Sequence, residues 1–159
     1  MPPHLSHAQK RLLVSFFLFA FASPMIFVYS NTYLWRQSED PIILAIFNIG
    51  LYAGIMGGFF LNTLFLRRWH AGKLYALGCL LQGIVPILLV FAGAKASDLA
   101  FVLGCFLGLA AGLFWANRNL LTSKLTEGEG RYFFMSRETV VQTAASIIAP
   151  ALVGWLLVF

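Results

Sequence analysis

The sequence predicts an all-α membrane protein, a polytopic bundle of transmembrane helices. Of its 159 residues, 60% are apolar and only 11% are charged, whereas soluble domains average about 45–50% apolar and about 25% charged residues. A folded soluble domain of this size keeps roughly a third of its chain's surface exposed, so it could not hide this much apolar surface from water. The composition excludes a soluble enzyme and a nucleic-acid-binding module, and it makes the lipid bilayer the first expected partner.

Five apolar segments are long enough to cross a membrane, which takes about 20 helical residues. These segments are continuous, while a β-barrel would need alternating segments of about ten residues. The first segment also resembles a signal peptide, but its apolar run continues past Pro24 to Tyr29, which favours a span. Gly128 and Gly130 are expected to break any helix in the polar stretch 122–139. The predicted spans are residues 12–29, 41–66, 74–94, 99–121 and 140–159.

The distribution of Lys and Arg predicts the orientation of the chain. With a cytoplasmic N-terminus, nine of the eleven cations lie in segments on the inner side, and only Arg36 and Lys95 lie outside. Such a bias follows the positive-inside rule, and with five spans it leaves Phe159 at the outer face of the plasma membrane. The cations assigned to the inner side are Lys10, Arg11, Arg67, Arg68, Lys73, Arg118, Lys124, Arg131 and Arg137.

Small residues repeat at four-residue spacing on three of the predicted spans. Such stripes let two helix backbones approach closely in lipid. They favour helix packing within the bundle, and the competing interpretation is that these faces slide during a conformational cycle. The residues predicted to pack are Gly50, Gly54 and Gly58 on the second span, Gly104, Gly108 and Gly112 on the fourth, and Ser146, Pro150 and Gly154 on the fifth.

Few polar side chains are expected at membrane depth. Asn48 and Gln82 lie within spans, where an amide forms an interhelical hydrogen bond or lines a polar pathway. All six acidic residues are expected in loops or at helix ends, and the three histidines form no metal-binding pair. No serine has a histidine partner at depth, so the sequence predicts no catalytic residue, no metal site, no cofactor and no enzyme activity.

The segment from Gly104 to Phe159 resembles the fourth and fifth helices, with their connecting loop, of bacterial major facilitator superfamily transporters. Its end, IIAPALVG over residues 147–154, is similar to the glycine–proline motif of the fifth helix in that family. The resemblance covers all five spans and implies an incomplete N-terminal half of a transporter of about twelve helices. The segment that leads into the basic turn at residues 67–73, between the second and third spans, departs from the family's pattern. Here Asn62 follows Gly58 where the family usually carries an aspartate.

The resemblance implies roles for particular residues. The first and fourth helices would line a central cavity. The second and fifth helices would pack against the other half of the transporter, and the residues at that contact would be Gly50, Gly54, Gly58, Pro150 and Gly154. The candidates for the substrate cavity are Ser23, Tyr29, Asn48, Trp115 and Asn117. The candidates for a gating loop are Gly58, Asn62, Arg67, Arg68, Gly72 and Lys73.

Two functions are therefore open. The first is a portion of a secondary active transporter, which moves an unknown small solute by alternating access and needs the missing helices of the same transporter or a partner chain. The second is a small membrane subunit or assembly factor that does not transport and grips partner helices through its glycine faces. The chain ends within a turn of the fifth predicted span, from which we expect a piece of something longer.

Overall fold

The computed structural model describes residues 6–158, except for the side chains of Glu129 and of residues 156–158. It confirms the all-α class, since these residues form helices and no strand. A single 3-10 turn, Gly93–Ala96, lies between the third and fourth helices. The α-helices are α1 (His7–Ser38), α2 (Pro41–Phe65), α3 (Ala71–Ala92), α4 (Ala100–Leu125) and α5 (Gly128–Val158).

Four of these helices are long and apolar enough to cross a membrane. They are α1, α2, α3 with the following 3-10 turn, and α4, and each coincides with one of the first four predicted spans. The structure therefore fits a membrane protein. Within the described residues α5 is not among these candidates, so the fifth span stays a prediction.

The first helix is much longer than its predicted span of residues 12–29. It continues through residues 30–38, which lie between the first two predicted spans, because no glycine or proline interrupts the chain between Pro24 and Ser38. The helix ends at Glu39, whose φ of 48° places it in the left-handed region. Asp40 then caps α2, accepting a hydrogen bond of 2.8 Å from the backbone N–H of Ile42, and Pro41 occupies the first helical position.

The fifth helix begins at Gly128, twelve residues before the predicted start at residue 140. The expectation that Gly128 and Gly130 break a helix was wrong, because glycine is tolerated near a helix N-terminus and costs only about 1 kcal/mol in the interior. Gly128 has a φ of 51° and begins the helix, and Gly130 lies in its first turn. Phe134 and Glu138, one turn apart, are both buried, so this early part of α5 has a packed face.

The chain divides into two compact units. One comprises the first part of α1 up to Val28, the end of α4 from Leu120, and α5. In this unit the side-chain amide of Gln9 donates a 2.6 Å hydrogen bond to the carbonyl of Leu125. The Arg131 guanidinium donates to the carbonyl oxygens of Thr126 and Ser123 at 2.9 Å and 3.1 Å, so both side chains satisfy carbonyls at the end of α4 that have no helical partner.

The other unit, Tyr29–Asn119, contains the end of α1, all of α2 and α3, and most of α4. On the α3 side of α4, the rings of Tyr75 and Phe114 lie 5.1 Å apart. A methyl group at Gly78 would lie 2.7 Å from the backbone nitrogen of Phe114, which shows that α3 and α4 are in close contact there. On its α2 side, α4 makes the contacts that form the candidate site.

Candidate functional site

Two glycine stripes, one on α2 and one on α4, lie against each other at backbone contact. We call this contact the α2–α4 seam. A methyl group at Gly58 would lie 2.6 Å from the carbonyl oxygen of Leu109, and one at Gly112 would lie 2.5 Å from that of Ile55. Both distances are far below an ordinary van der Waals contact, so no side chain larger than glycine fits without a backbone shift. The residues of the seam are Gly50, Gly54, Gly58, Gly104, Gly108 and Gly112.

The register of the seam shows that α2 and α4 run in the same direction. Gly50 faces Phe101, and two turns later Gly58 faces Leu109 and Gly112. Residue numbers therefore rise together on the two helices. Such close parallel backbones allow weak Cα–H to carbonyl hydrogen bonds along the contact.

A pair of buried amides continues the seam by one more turn. The side-chain nitrogen of Asn117 donates to the side-chain oxygen of Asn62 at 2.5 Å and to the carbonyl of Leu113 at 2.8 Å. Asn117 is fully buried and Asn62 is 5% exposed. Among the described residues, the Asn117 side-chain oxygen has no hydrogen-bond partner. The gating-loop candidate Asn62 and the cavity candidate Asn117 are thus joined in one interhelical contact.

A second amide pair joins α1 to α2 within the same unit. Asn48 donates from its side-chain nitrogen to the Asn31 side-chain oxygen at 3.0 Å and to the carbonyl of Leu44 at 2.8 Å. Gln82, buried on α3, donates back to the carbonyl of Gly78 at 3.5 Å. For Asn48, the structure therefore shows the interhelical hydrogen bond that was one of its two interpretations.

The other cavity candidates are half-buried on α1 and α4. Tyr29 stacks on Tyr33, with ring centroids 5.9 Å apart. Trp115 lies edge-on to the Phe114 ring. The Arg118 guanidinium is 5.3 Å from the centroid of the Trp115 ring, close enough for a cation–π contact. Ser23 is half-buried in α1 and belongs to the other compact unit.

The gating-loop candidates fall into two places. Arg67, Arg68, Gly72 and Lys73 are exposed around the turn between α2 and α3, and a methyl group at Gly72 would meet no atom within 4 Å. Gly58 and Asn62 lie instead within α2 and face α4. The loop is therefore a basic surface turn, and the two α2 residues belong to the seam.

The packing candidates of α5 have a different environment. Pro150 is half-buried and Gly154 is exposed. A methyl group at Gly154 would meet no atom of the described residues within 4 Å. Unlike the glycines of α2 and α4, Gly154 therefore has no helix packed closely on it here.

One buried acidic residue among the described ones was missed by the sequence interpretation. Glu138 is only 1% exposed and lies inside α5, so the expectation that every acidic residue lies in a loop or at a helix end was wrong. The signal was available in the sequence, because Glu138 lies four residues after Phe134 and so shares its helix face. Within residues 6–158, no three His, Cys, Asp or Glu side chains come together in a way that could hold a metal ion.

Comparison with known proteins shows two relatives and no assigned family. No protein-family model matches the chain, and no solved structure matches it. It is 32% identical over 129 residues to an uncharacterized protein of Geobacillus stearothermophilus from the sodM 3′ region. It is 27% identical over 127 residues to the uncharacterized protein YqgE of Bacillus subtilis (strain 168). Each match covers 80% of this chain, but only 59% and 30% of the two relatives, so the chain is similar to part of each of two longer bacterial proteins.

Proposed function

We propose that this chain is a portion of a secondary active transporter in the plasma membrane, with a cytoplasmic N-terminus. The observation that carries the proposal is the α2–α4 seam. Two apolar helices of the same direction are packed at backbone contact and end in a buried amide pair, and we expect such a pair to move as one body. Alternating access is largely the rigid-body motion of such elements about a site near the bilayer midplane.

The relatives support a partial chain. Both extend well beyond the segment that matches this one, and the resemblance to major facilitator transporters also implies further helices. Alone, the five helices lack an opposing half, and we expect no solute flux from liposomes that contain only this chain. The alternative is a subunit that grips partner helices through its glycine faces. The α2 and α4 glycines pack on each other, which occupies the faces that this alternative would offer to a partner. It equally occupies the face of Gly50, Gly54 and Gly58 that the resemblance places against the other half of the transporter.

The test uses the Bacillus subtilis relative, since it is the longer of the two in proportion to the matched segment. Cells that produce it, or a chimera in which this chain replaces the matched segment, are given a mixture of small solutes. The depletion or release of each solute is then followed by mass spectrometry. We expect both proteins to move at least one common solute. The proposal would be contradicted if neither the relative nor the chimera took up or released any of the solutes. Solute flux from liposomes that contain this chain alone would also contradict it.

Trp115 provides the residue-level version of this test. It is half-buried on α4 beside Arg118, so Trp115→Ala in the chimera should lower the rate of solute movement by roughly tenfold or more, on the order of the loss from misplacing a binding group. Trp35, 43% exposed near the end of α1 and assigned to neither the cavity nor the gating loop, is the matched control, and Trp35→Ala should change the rate less than about twofold. Equal effects of the two substitutions would remove Trp115 from the cavity.

A further inference from the structure

The beginning of α1 carries an open groove of about 350 Å³ on one helix face. Its lining residues follow one another at spacings of three or four residues or lie side by side, as residues on a single helical face do. From the first to the last, eleven residues apart, the groove extends about 16 Å along the helix, close to half of a hydrocarbon core of about 30 Å. The lining consists of His7, Lys10, Arg11, Val14, Ser15 and Leu18.

The groove changes character along its length. Lys10 and Arg11, at its beginning, are exposed cations. Further along, Val14 is 59% exposed and Leu18 is 65% exposed, and these apolar side chains lie on a helix that qualifies as a membrane span. No carboxylate contributes to the lining within residues 6–158. The face therefore presents positive charge at one end and apolar surface at the other.

We propose that this groove binds one anionic phospholipid, with the phosphate against Lys10 and Arg11 and an acyl chain along Val14 and Leu18. An anionic phospholipid carries negative charge and hydrocarbon in the same order along the membrane normal, and clustered cations next to a span recognise such headgroups. A protein helix would have to bring a carboxylate to the membrane surface beside an apolar face to match the groove equally well. This proposal rests on the membrane insertion of α1 and is independent of transport.

The first experiment identifies the occupant. A photo-crosslinking amino acid, p-benzoylphenylalanine, replaces Val14, and in a second protein it replaces Val102, which is 61% exposed and lies outside this groove. Both proteins are reconstituted in vesicles of equimolar phosphatidylglycerol and phosphatidylethanolamine, illuminated and analysed by mass spectrometry. We expect phosphatidylglycerol adducts to be enriched at position 14 and to follow the vesicle composition at position 102. Equal composition of the adducts at the two positions would overturn the proposal.

The second experiment tests the cations. Lys10→Gln together with Arg11→Gln should lower the enrichment of phosphatidylglycerol roughly 25-fold, because each cation near a membrane surface contributes about fivefold. Arg67→Gln together with Arg68→Gln removes the same charge from an exposed turn and should leave the enrichment unchanged. An equal loss in both variants, or none in the first, would contradict the site.

Illumination in native membranes distinguishes a lipid in the groove from a protein that covers it. There the probe at position 14 should give lipid adducts. Adducts predominantly to a second copy of this chain or to another protein would show that a protein covers the groove and would overturn lipid binding. Both glutamine variants are checked for helix content by circular dichroism before use, so that a loss of enrichment reports on binding and not on unfolding.

Discussion

At the scale of single residues, the buried amides determine how the spans are joined. Asn117 is fully buried and its nitrogen bridges Asn62 on α2 and the carbonyl of Leu113 on its own helix. In an apolar environment each unpaired amide is costly. The pair therefore fixes the end of the α2–α4 seam in one register and disfavours sliding of one helix past the other.

We expect Asn62→Ala to lower the free energy of unfolding by about 1–2 kcal/mol, because it removes the side-chain oxygen that accepts the hydrogen bond of the Asn117 amide. The control is Asn119→Ala, at an exposed position two residues after Asn117. It should change the free energy of unfolding by less than about 0.5 kcal/mol. Unfolding is followed in mixed micelles by titration with sodium dodecyl sulfate. If the two variants are equally stable, the amide pair does not hold the helices together.

At the scale of secondary-structure elements, the seam depends on the absence of side chains. A methyl group at Gly108 would lie 2.8 Å from the backbone nitrogen of Ile55 and 2.9 Å from the Cα atom of Gly54. These are backbone atoms, which cannot move aside as a flexible side chain can. Any larger residue must push α2 and α4 apart, and dispersion contacts along the whole seam weaken with distance.

Gly108→Ala should therefore lower the free energy of unfolding by about 1–3 kcal/mol, the usual cost of overpacking. Gly83 provides the matched control, since it lies inside α3 and a methyl group there meets no atom within 4 Å. Gly83→Ala should be neutral or stabilise the protein by up to about 1 kcal/mol, because alanine favours helix more than glycine does. The same titration measures both variants, and greater loss in Gly83→Ala would contradict the seam.

At the scale of the whole molecule, the parallel seam constrains the path of the chain through the membrane. Since α2 and α4 run in the same direction, α3 must return between them. This is the alternation that consecutive membrane spans require. The structure thus supports the alternating directions of α2, α3 and α4, while the side of the membrane on which the chain begins stays a prediction from its cations.

Two positions test that orientation. In a variant whose native cysteines are replaced by alanine, Lys95→Cys should react with a membrane-impermeant maleimide from outside intact cells. Lys124→Cys should react only after the membrane is opened, since Lys95 precedes α4 and Lys124 lies in its last turn. Reaction of both from the same side would contradict the predicted topology.

Whether α5 crosses the membrane can be tested with two reporter fusions. If α5 crosses the membrane, alkaline phosphatase fused after the last residue of the full chain should be active and a green fluorescent protein at the same place should be dark. The two reporters control each other, because each works on the opposite side. A fluorescent fusion with inactive phosphatase would show that the chain crosses four times and that the fifth predicted span is wrong.

Much of the fold could be predicted because it depends on local composition. The first four spans follow from long apolar runs. The end of α1 was wrongly predicted at residue 29, although Asp40 and Pro41, next to its actual end at Ser38, have standard capping chemistry. The start of α5 could not be predicted, because Gly128 and Gly130 have a weak local preference against helix that the packing of Phe134 and Glu138 outweighs. In the candidate site, Asn62 and Asn117 were both identified but as parts of different features.

The sequence by itself determined that the chain forms apolar helices long enough to cross a membrane, because this follows from composition. It also determined that the glycines share one face on α2 and another on α4, because this follows from the 3.6-residue period of a helix. Only the tertiary structure decided that these two faces meet, that Asn62 bonds to Asn117, and that Glu138 is buried. The physical reason is that periodicity fixes which residues lie on one side of a helix, whereas the partner of that side depends on segments far away along the chain.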